Sequence, residues 1–541
     1  MLCCQTNPSI QDQEIPIPKP YPVKLNQKTV CIIGCTYAGT TAAIQLRTLD
    51  PSVRIIVFET NKTIAFINSG IHLAISKACP DMQRLFYNSP ETFEKLGIEV
   101  HVATKVDNFN FGSKFINTVS QTTMERVQYQ YDKAIIATGS MQNVPSIIEG
   151  IDYEFDSLAQ VRSNFQRILM CKSYADAQRL TNLKNARKIL IVGAGHIGME
   201  LAQSYQSIGI HVTVLDHNEL VLGKYFDVEY MQILQSECES LGIKLWMKSR
   251  IIKMLETESF VQFTAERIIE SQIKTVQTEA DYVILAAGFK PNTINILNNS
   301  DQTLKNANNV ILVNRKQQTN IQNVYAIGDC CTTFYPLTQK QIYIPLASQA
   351  VRQAVIAAYQ AAGINMMHPG CNWTYGIQIL DYSLAATGLS QQQAMQFYKN
   401  VGRVIYSDHL WNAYCDKKIE KVVQNSELNK HFNIHGEMVR NLADQIVESM
   451  ELEVEQDEDS IVSIILIYDQ DTFKLLGSQV MGKQDITQLV NAMSIALQYN
   501  MTLQDIAFSN FAGFEGETKM WGILQTAAAS VICNLPDFED I

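Results

Sequence analysis

Charged residues are scarce in this chain: Asp, Glu, Lys and Arg make up 18 % of 541 residues, and acid outweighs base to leave a formal charge of −11. Nucleic acid and anionic bilayers demand clustered Lys and Arg, so neither is expected as the main partner. No apolar run reaches the ~18 to 20 residues of a membrane span, and no membrane insertion is expected. The start, Met1-Leu2-Cys3-Cys4-Gln5, lacks a basic segment followed by an apolar stretch, which argues against secretion. Twelve cysteines are scattered without C-x-x-C pairs or the dense spacing of a disulfide-stapled domain. That pattern suits a reducing cytoplasm, and no structural metal is expected.

What the chain does have is a pair of strand-turn-helix units. In the second, Lys188-Ile189-Leu190-Ile191-Val192 reads as a buried strand running straight into Gly193-Ala194-Gly195-His196-Ile197-Gly198, with a helix expected from Met199-Glu200-Leu201-Ala202. The first glycine permits a tight turn, the second lets backbone N–H groups approach a pyrophosphate, and the third allows close helix–strand packing. Phosphates would sit at the positive end of that helix. His211-Val212-Thr213-Val214-Leu215 then forms a second strand ending at Asp216, whose carboxylate can accept both ribose hydroxyls and would repel a 2′-phosphate, favouring NADH over NADPH. The first unit runs Val30-Cys31-Ile32-Ile33 into Gly34-Cys35-Thr36-Tyr37-Ala38-Gly39, with Arg54-Ile55-Ile56-Val57-Phe58-Glu59 as its acid-terminated second strand. Its middle glycine is replaced by Thr36, yet strand, turn, helix and terminal acid in sequence make a plain loop the poorer reading.

Three further apolar strands end in small-residue turns: Tyr131 to Gly139, Tyr282 to Gly288 (followed by Phe289-Lys290-Pro291-Asn292) and Asn323 to Asp329. With these in order, the chain resembles the FAD-dependent pyridine nucleotide-disulfide oxidoreductase superfamily, in particular its branch of NADH oxidases, NADH peroxidases and coenzyme A disulfide reductases, over roughly residues 29 to 530. The resemblance implies an α/β protein with two Rossmann-like dinucleotide-binding domains, for FAD and NAD, plus a C-terminal α+β dimerisation domain. It implies FAD and NADH as cofactors. Gly34, Cys35, Thr36, Tyr37, Ala38, Gly39 and Glu59 would hold the ADP half of FAD, with Val106, Ala137, Thr138 and Gly139 passing close by. Gly328 and Asp329 would meet the ribityl chain, Leu346, Ala347 and Ser348 the flavin ring, and Lys172 would reach the flavin. On the nicotinamide side, Gly193, Gly195, Ile197, Gly198, Glu200, Asp216, Tyr225 and Gly288 fall on contact positions. His196 stands where most relatives carry a tyrosine that gates the flavin.

Three departures bear on the chemistry. Relatives place a cysteine beneath the flavin, where this chain reads Ile64-Ala65-Phe66-Ile67-Asn68-Ser69-Gly70, so Ser69 takes its position. A thiolate exchanges electrons with reduced flavin and attacks disulfides or peroxides, whereas a hydroxyl has no redox couple. Asn68 or Ser69 is then expected as a plain N-cap for the following helix. Tyr37 replaces the histidine that assists oxygen or peroxide chemistry in oxidases, and packing in the turn is its expected role. Phe514-Glu515-Gly516-Glu517-Thr518-Lys519-Met520-Trp521 replaces the family's proline-histidine-phenylalanine stretch. His72, one helical turn after Ser69, is a candidate acid-base group, though a histidine there is more often a satisfied polar residue. Cys35, Cys330 and Cys331 are the thiols nearest in sequence, and small buried residues are the better reading for them.

The expected organisation is an N-terminal extension over 1–28, extended around Ile15 to Pro20; an FAD domain split into 29–150 and 291–365; an NAD domain with connecting helix over 151–290; and a dimerisation domain over 366–541. In the last, Ile377–Tyr382, Ile461–Ile467 and Leu475–Gln479 read as strands and Ile486–Leu497 as a helix, with an acidic insertion near 417–459. The function expected is a cytoplasmic, homodimeric FAD-dependent NADH oxidoreductase that passes hydride from NADH to flavin and on to a small acceptor, oxygen foremost, releasing hydrogen peroxide because Ser69 supplies no sulfur. Two alternatives stand beside it: a paralogue that binds FAD and NADH as a redox sensor or interaction subunit, and a disulfide reductase using an atypical thiol.

Overall fold

The computed structural model describes residues 19–20, 27–151, 157–269, 271–298, 300, 304, 306–409, 461–511 and 522–532. The acidic insertion, the Phe514–Trp521 segment and most of the N-terminal extension lie outside the described residues. The chain divides into two compact units, residues 1–217 with 248–371 and residues 218–247 with 372–541.

The first unit is built on two parallel sheets. One is five-stranded, in the order Val324–Ala326, Lys133–Ile136, Thr29–Ile33, Arg54–Phe58, Ile98–His101. Successive side chains of a strand point to opposite faces, and both faces here are dry. Val30, Ile32, Ile55, Val57 and Ile135 pack on one side with the helices Tyr37–Leu49 and Ala347–Ala361, while Cys31, Ile33, Ile56, Phe58 and Ile136 pack on the other against Phe109, Ile116 and Tyr129. This two-sided burial is why the strands read as unbroken apolar runs. The two helices touch through small residues, Ala38 and Ala42 on one, Ala354, Ala357 and Ala358 on the other.

A second parallel sheet sets Ile168–Leu169, Tyr282–Leu285, Lys188–Val192 and His211–Leu215 side by side. Two segments crossing between the sheets pair with each other, Ser140–Gln142 antiparallel to Phe289–Pro291. Buried Gln142 pins the crossing: its carbonyl accepts the Cys171 N–H at 2.9 Å and its amide donates to the Leu285 carbonyl. Of the expected extended arm, Lys19–Pro20 is described, pairing in parallel with Val127 and Gln128 at a sheet edge, where a proline costs no ladder bond.

The second unit carries a five-stranded antiparallel sheet, Tyr375–Ile379, Tyr382–Gly388, Leu475–Gly482, Ile461–Asp469, Val401–His409, with helices Thr487–Gln498, Leu503–Ala507 and Ile523–Ile532. The expected single strand over Ile377–Tyr382 is instead a hairpin, because Leu380 turns at φ +56° and reverses the chain. Among the described residues no helix is long and apolar enough to cross a membrane.

Candidate active site

Each glycine turn is fixed by backbone proximity. Gly34 sits at φ +101°, and a Cβ there would lie 2.2 Å from the Ala137 carbonyl oxygen; at Gly39 it would lie 1.9 Å from the Gly34 oxygen. The second turn repeats the arrangement: Gly193 at φ +114° would put a Cβ 2.4 Å from the Ala286 oxygen, and Gly198 one 1.8 Å from the Gly193 oxygen. Each turn opens a helix of 13 or 12 residues, Tyr37–Leu49 and His196–Ser207, whose first-turn N–H groups have no intrahelical partner. Such an end favours a pyrophosphate, and the cradle therefore fits a dinucleotide.

The terminal acids reach back to their own turns. Glu59 accepts the Cys35 N–H at 2.8 Å and is held from the other side by the backbone and side chain of Asn61, at 2.8 and 2.7 Å. Its burial pushes the carboxyl above the usual carboxylate range. Asp216 accepts the Ala194 N–H at 2.7 Å in the same manner. Val106 contributes its side chain to the core rather than to an open surface, at a strand irregularity between Val106 and Asn108. Ala137 is likewise buried, whereas Thr36 is exposed and Thr138 and Gly139 are partly so.

Downstream of the first turn, Gly328 at φ +73° fits between Ala38 and Ala350, its N–H donating to Gln353 at 2.7 Å, and presents Asp329. Ser140 donates to Asp329 Oδ2 at 2.7 Å and accepts from Lys172 Nζ at 3.0 Å, while the ammonium lies 4.5 Å from the centroid of Phe289. Burial lowers the Lys172 pKa, with Asp329 opposing the shift. Leu346 caps the helix Ala347–Ala361, and Ala347 and Ser348 stand exposed in its first turn. Ser140, Gln142 and Phe289 were not expected as site residues. Their partners lie far off in sequence, Ser140 being 189 residues from Asp329, so only the adjacency of Ser140 to Thr138-Gly139 hinted at them.

The segment around Ser69 corrects one expectation. The helix Ile71–Ile75 has Gly70 at its N-cap with no side-chain capping bond, and is entered through a 3₁₀ turn, Asn68–Gly70. Neither Asn68 nor Ser69 caps it. A Cβ at Gly70 would come 2.6 Å from Leu85 Cδ2, so the turn is held by packing, and Ser69 is left exposed. His72 is half-buried on this helix, which packs against Tyr174–Leu180 and His196–Ser207; burial holds its imidazole below the ordinary histidine pKa. Tyr37 stacks on Tyr87, ring centroids 5.4 Å apart and 11° from parallel.

The second helix starts at His196, three positions before the expected Met199, because Gly195 in extended conformation (φ −80°, ψ −174°) serves as its N-cap. His196 and Glu200 thus fall one turn apart on one helix face. Burial drives both toward neutrality: His196 is pushed down to about 4 and Glu200 up to about 7. Ile197 lies between them, half-buried, and Gly288 is exposed at φ +84°. Tyr225 belongs to the second unit, where its ring meets Tyr375 edge-on at 5.8 Å and its carbonyl accepts the Tyr375 hydroxyl at 2.5 Å.

Cys35, Cys330 and Cys331 are buried. Cys35, in contact with Thr40 Oγ1 at 3.7 Å, is pushed up to about 12 by desolvation and by Glu59. Cys331 is raised well above the ordinary range by burial and by Cys330, which is itself lowered through its hydrogen bond with Cys331. Among the described residues no group of three or more His, Cys, Asp or Glu is placed to hold a metal ion.

The sequence pattern of the family described as pyridine nucleotide-disulphide oxidoreductase matches residues 28–361. An NADH oxidase of Enterococcus faecalis is 27 % identical over 507 residues, covering 94 % of this chain and 100 % of that protein. An NADH oxidase of Mycoplasma pneumoniae is 28 % identical over 392 residues, covering 71 % of this chain and 80 % of that one. Among solved structures, the water-forming NADH oxidase from Lactobacillus brevis bound to NADH is similar at a TM-score of 0.78 and 26 % identity, covering 94 % of this chain and 99 % of the other.

Proposed function

Because this chain belongs to the pyridine nucleotide-disulphide oxidoreductase family and is an FAD-dependent NADH oxidoreductase, we propose that it delivers the electrons of NADH to oxygen as hydrogen peroxide, without a redox cysteine. Bound FAD supplies the chemistry, taking a hydride from NADH and handing the electron pair to the acceptor. The chain's own residues bind and orient. The Gly34–Gly39 turn and Glu59 hold the ADP half of FAD, Asp329 takes the ribityl hydroxyls, and Leu346, Ala347, Ser348 and Lys172 face the ring. The Gly193–Gly198 turn and Asp216 hold NADH, and neutral His196 gates its approach.

Ser69 carries the reading. A thiol can carry peroxide on to water by being oxidised to a sulfenic acid and then re-reduced. A hydroxyl has no such couple; Cys35 and Cys331 are held protonated by burial, and Cys330, lowered by its bond with Cys331, is itself fully buried away from any substrate. The same burial weighs against a disulfide reductase built on an atypical thiol. The reading separates this chain from the relative described as water-forming, so product identity is the test. Oxygen uptake with NADH is followed by catalase addition: return of about half the consumed oxygen is expected from the stoichiometry of peroxide dismutation, and no return refutes the proposal. A Ser69→Cys variant is expected to lower the peroxide yield.

The cysteine pattern supports a cytoplasmic location. A homodimer is supported by exposed apolar side chains on the second unit, Ile495 and Tyr499 being 58 and 72 % exposed.

A further inference from the structure

Four segments of the first unit bring one side chain each to a single point. Ser140 opens the strand Ser140–Gln142, Lys172 follows Ile168–Leu169, Phe289 opens Phe289–Pro291, and Asp329 lies in the turn Gly328–Cys330. Lys172 Nζ and Asp329 Oδ2 are 3.9 Å apart. That is longer than a charge-assisted hydrogen bond, which runs about 2.7–2.9 Å, so the two charges are close without being joined. The Ser140 hydroxyl joins them instead, accepting from the ammonium at 3.0 Å and giving its one proton to the carboxylate at 2.7 Å. Ser140 itself is buried at 8 % exposure, while the side chains it joins, Lys172 and Asp329, are 25 and 20 % exposed. The backbone of Lys172 is tied down, its N–H bonded to Asp176 at 3.2 Å, and Asp176 is in turn gripped by Arg162 and Ser173. The ammonium at the end of the long side chain lies between the Phe289 ring and the Asp329 carboxylate.

We propose that Ser140 is a spacer, a positioning residue whose hydroxyl keeps the Lys172 ammonium from closing onto Asp329, so that the carboxylate stays available to the ribityl hydroxyls and the cation stays turned toward the flavin ring. The inference rests on the placement of FAD proposed above. Without the hydroxyl, attraction between the opposite charges closes the gap, and one movement removes a cation from the ring and an acceptor from the ribityl chain. A cation at the ring favours the reduced, more negative flavin, so its withdrawal disfavours reduction.

The test uses the purified FAD-loaded protein and measures the flavin reduction equilibrium against a reference dye, with FAD retention as a second readout. Ser140→Ala is expected to shift that equilibrium toward the oxidised form about tenfold, which for a two-electron couple is about 30 mV. Ser140→Thr, which keeps the hydroxyl, is expected to behave as the parent. Lys172→Met is expected to shift the equilibrium in the same direction, and the double variant no further than Lys172→Met alone, since both substitutions remove one cation from one place. Should Ser140→Ala shed FAD, the double variant decides: retention returns if Lys172 is what crowds Asp329, and stays lost if Ser140 merely holds the turn. An unshifted equilibrium in Ser140→Ala, or additive shifts in the double variant, overturns the spacer. An unshifted Lys172→Met overturns the placement of Lys172 at the flavin and the spacer with it, whereas parent protein that binds no FAD defeats the functional proposal itself.

Discussion

Replacing Glu200 by Gln should stabilise the protein, by an amount that grows as pH rises from the ordinary carboxylate range to neutrality. Glu200 lies largely buried in the second turn of the helix His196–Ser207, and desolvation alone raises its carboxyl from 4.5 to about 7. The folded state therefore holds the proton more tightly than the unfolded state does. Below the unfolded value both states are protonated and Glu200 costs nothing. As pH rises from 4.5 toward 7 the unfolded chain gives up its proton first, and stability falls; above about 7 both are ionised and the penalty is constant. At about 1.4 kcal/mol per pKa unit the full penalty is roughly 3 kcal/mol, with about 1 kcal/mol already present near pH 5. Glutamine has the shape of the protonated acid and cannot ionise, so Glu200→Gln should exceed the parent by roughly 3 kcal/mol near pH 8 and by about 1 kcal/mol near pH 5. Urea titrations of both FAD-loaded proteins at the two pH values, followed by flavin fluorescence together with far-ultraviolet circular dichroism, read the difference. A gap between parent and variant that does not change with pH, or a variant less stable than the parent at pH 8, would refute the reasoning, because either result means the carboxylate finds a compensating partner on ionisation.

His196 carries the opposite dependence: burial depresses its pKa from 6.5 to about 4, so it contributes stability above 6.5 that is lost as pH falls toward 4, roughly 3 kcal/mol in full. Urea titrations of His196→Gln across that range should show a flatter acid limb than the parent, and an unchanged limb argues against a neutral buried imidazole. Gly198→Ala would place a methyl 1.8 Å from the Gly193 carbonyl oxygen and should abolish NADH binding while the flavin spectrum persists, which fluorescence titration with NADH checks. If the buried thiols take no part in electron flow, Cys330→Ala with Cys331→Ala should leave NADH turnover as in the parent, and alkylation after NADH addition should trap no new thiol; collapse of turnover would revive the disulfide reductase.

Local chemistry was legible in the sequence wherever one segment dictated its own conformation. Lys188–Val192 and His211–Leu215 form strands with the bounds read from the sequence, and Ile189 to Val192, covered on both faces, is the uninterrupted apolar run such a strand shows. Boundaries failed where one residue's backbone angle decided them: Leu380 at φ +56° splits a strand that its apolar neighbours would continue, and Gly195 starts a helix three residues early. The cap expected at Asn68 or Ser69 failed for a tertiary reason, since Gly70 packs against Leu85 and no capping oxygen is used. What no reading of single segments could supply was the Lys172–Ser140–Asp329 chain, because its members come from three distant stretches and the serine looks ordinary in its own.

The broken first motif, with Thr36 in place of the middle glycine, is the feature that most suggests a worn-out site, and the backbone angles argue otherwise. In both turns it is the first glycine that occupies the left-handed region, Gly34 at φ +101° and Gly193 at φ +114°, where a side chain would be strained and would also strike a carbonyl. The middle positions sit at ordinary angles, φ −108° at Thr36 and φ −80° at Gly195. A threonine there incurs no backbone strain. The chain has kept glycine at Gly34 and Gly39, where geometry compels it, and departed only where close approach of a ligand, not conformation, is at stake. Thr36 is moreover exposed at the N-cap of the helix Tyr37–Leu49, where a hydroxyl adds one more donor beside the free N–H groups of the first turn. Such a pattern belongs to a turn still able to meet a phosphate, which makes loss of FAD binding the poorer explanation for the serine at position 69.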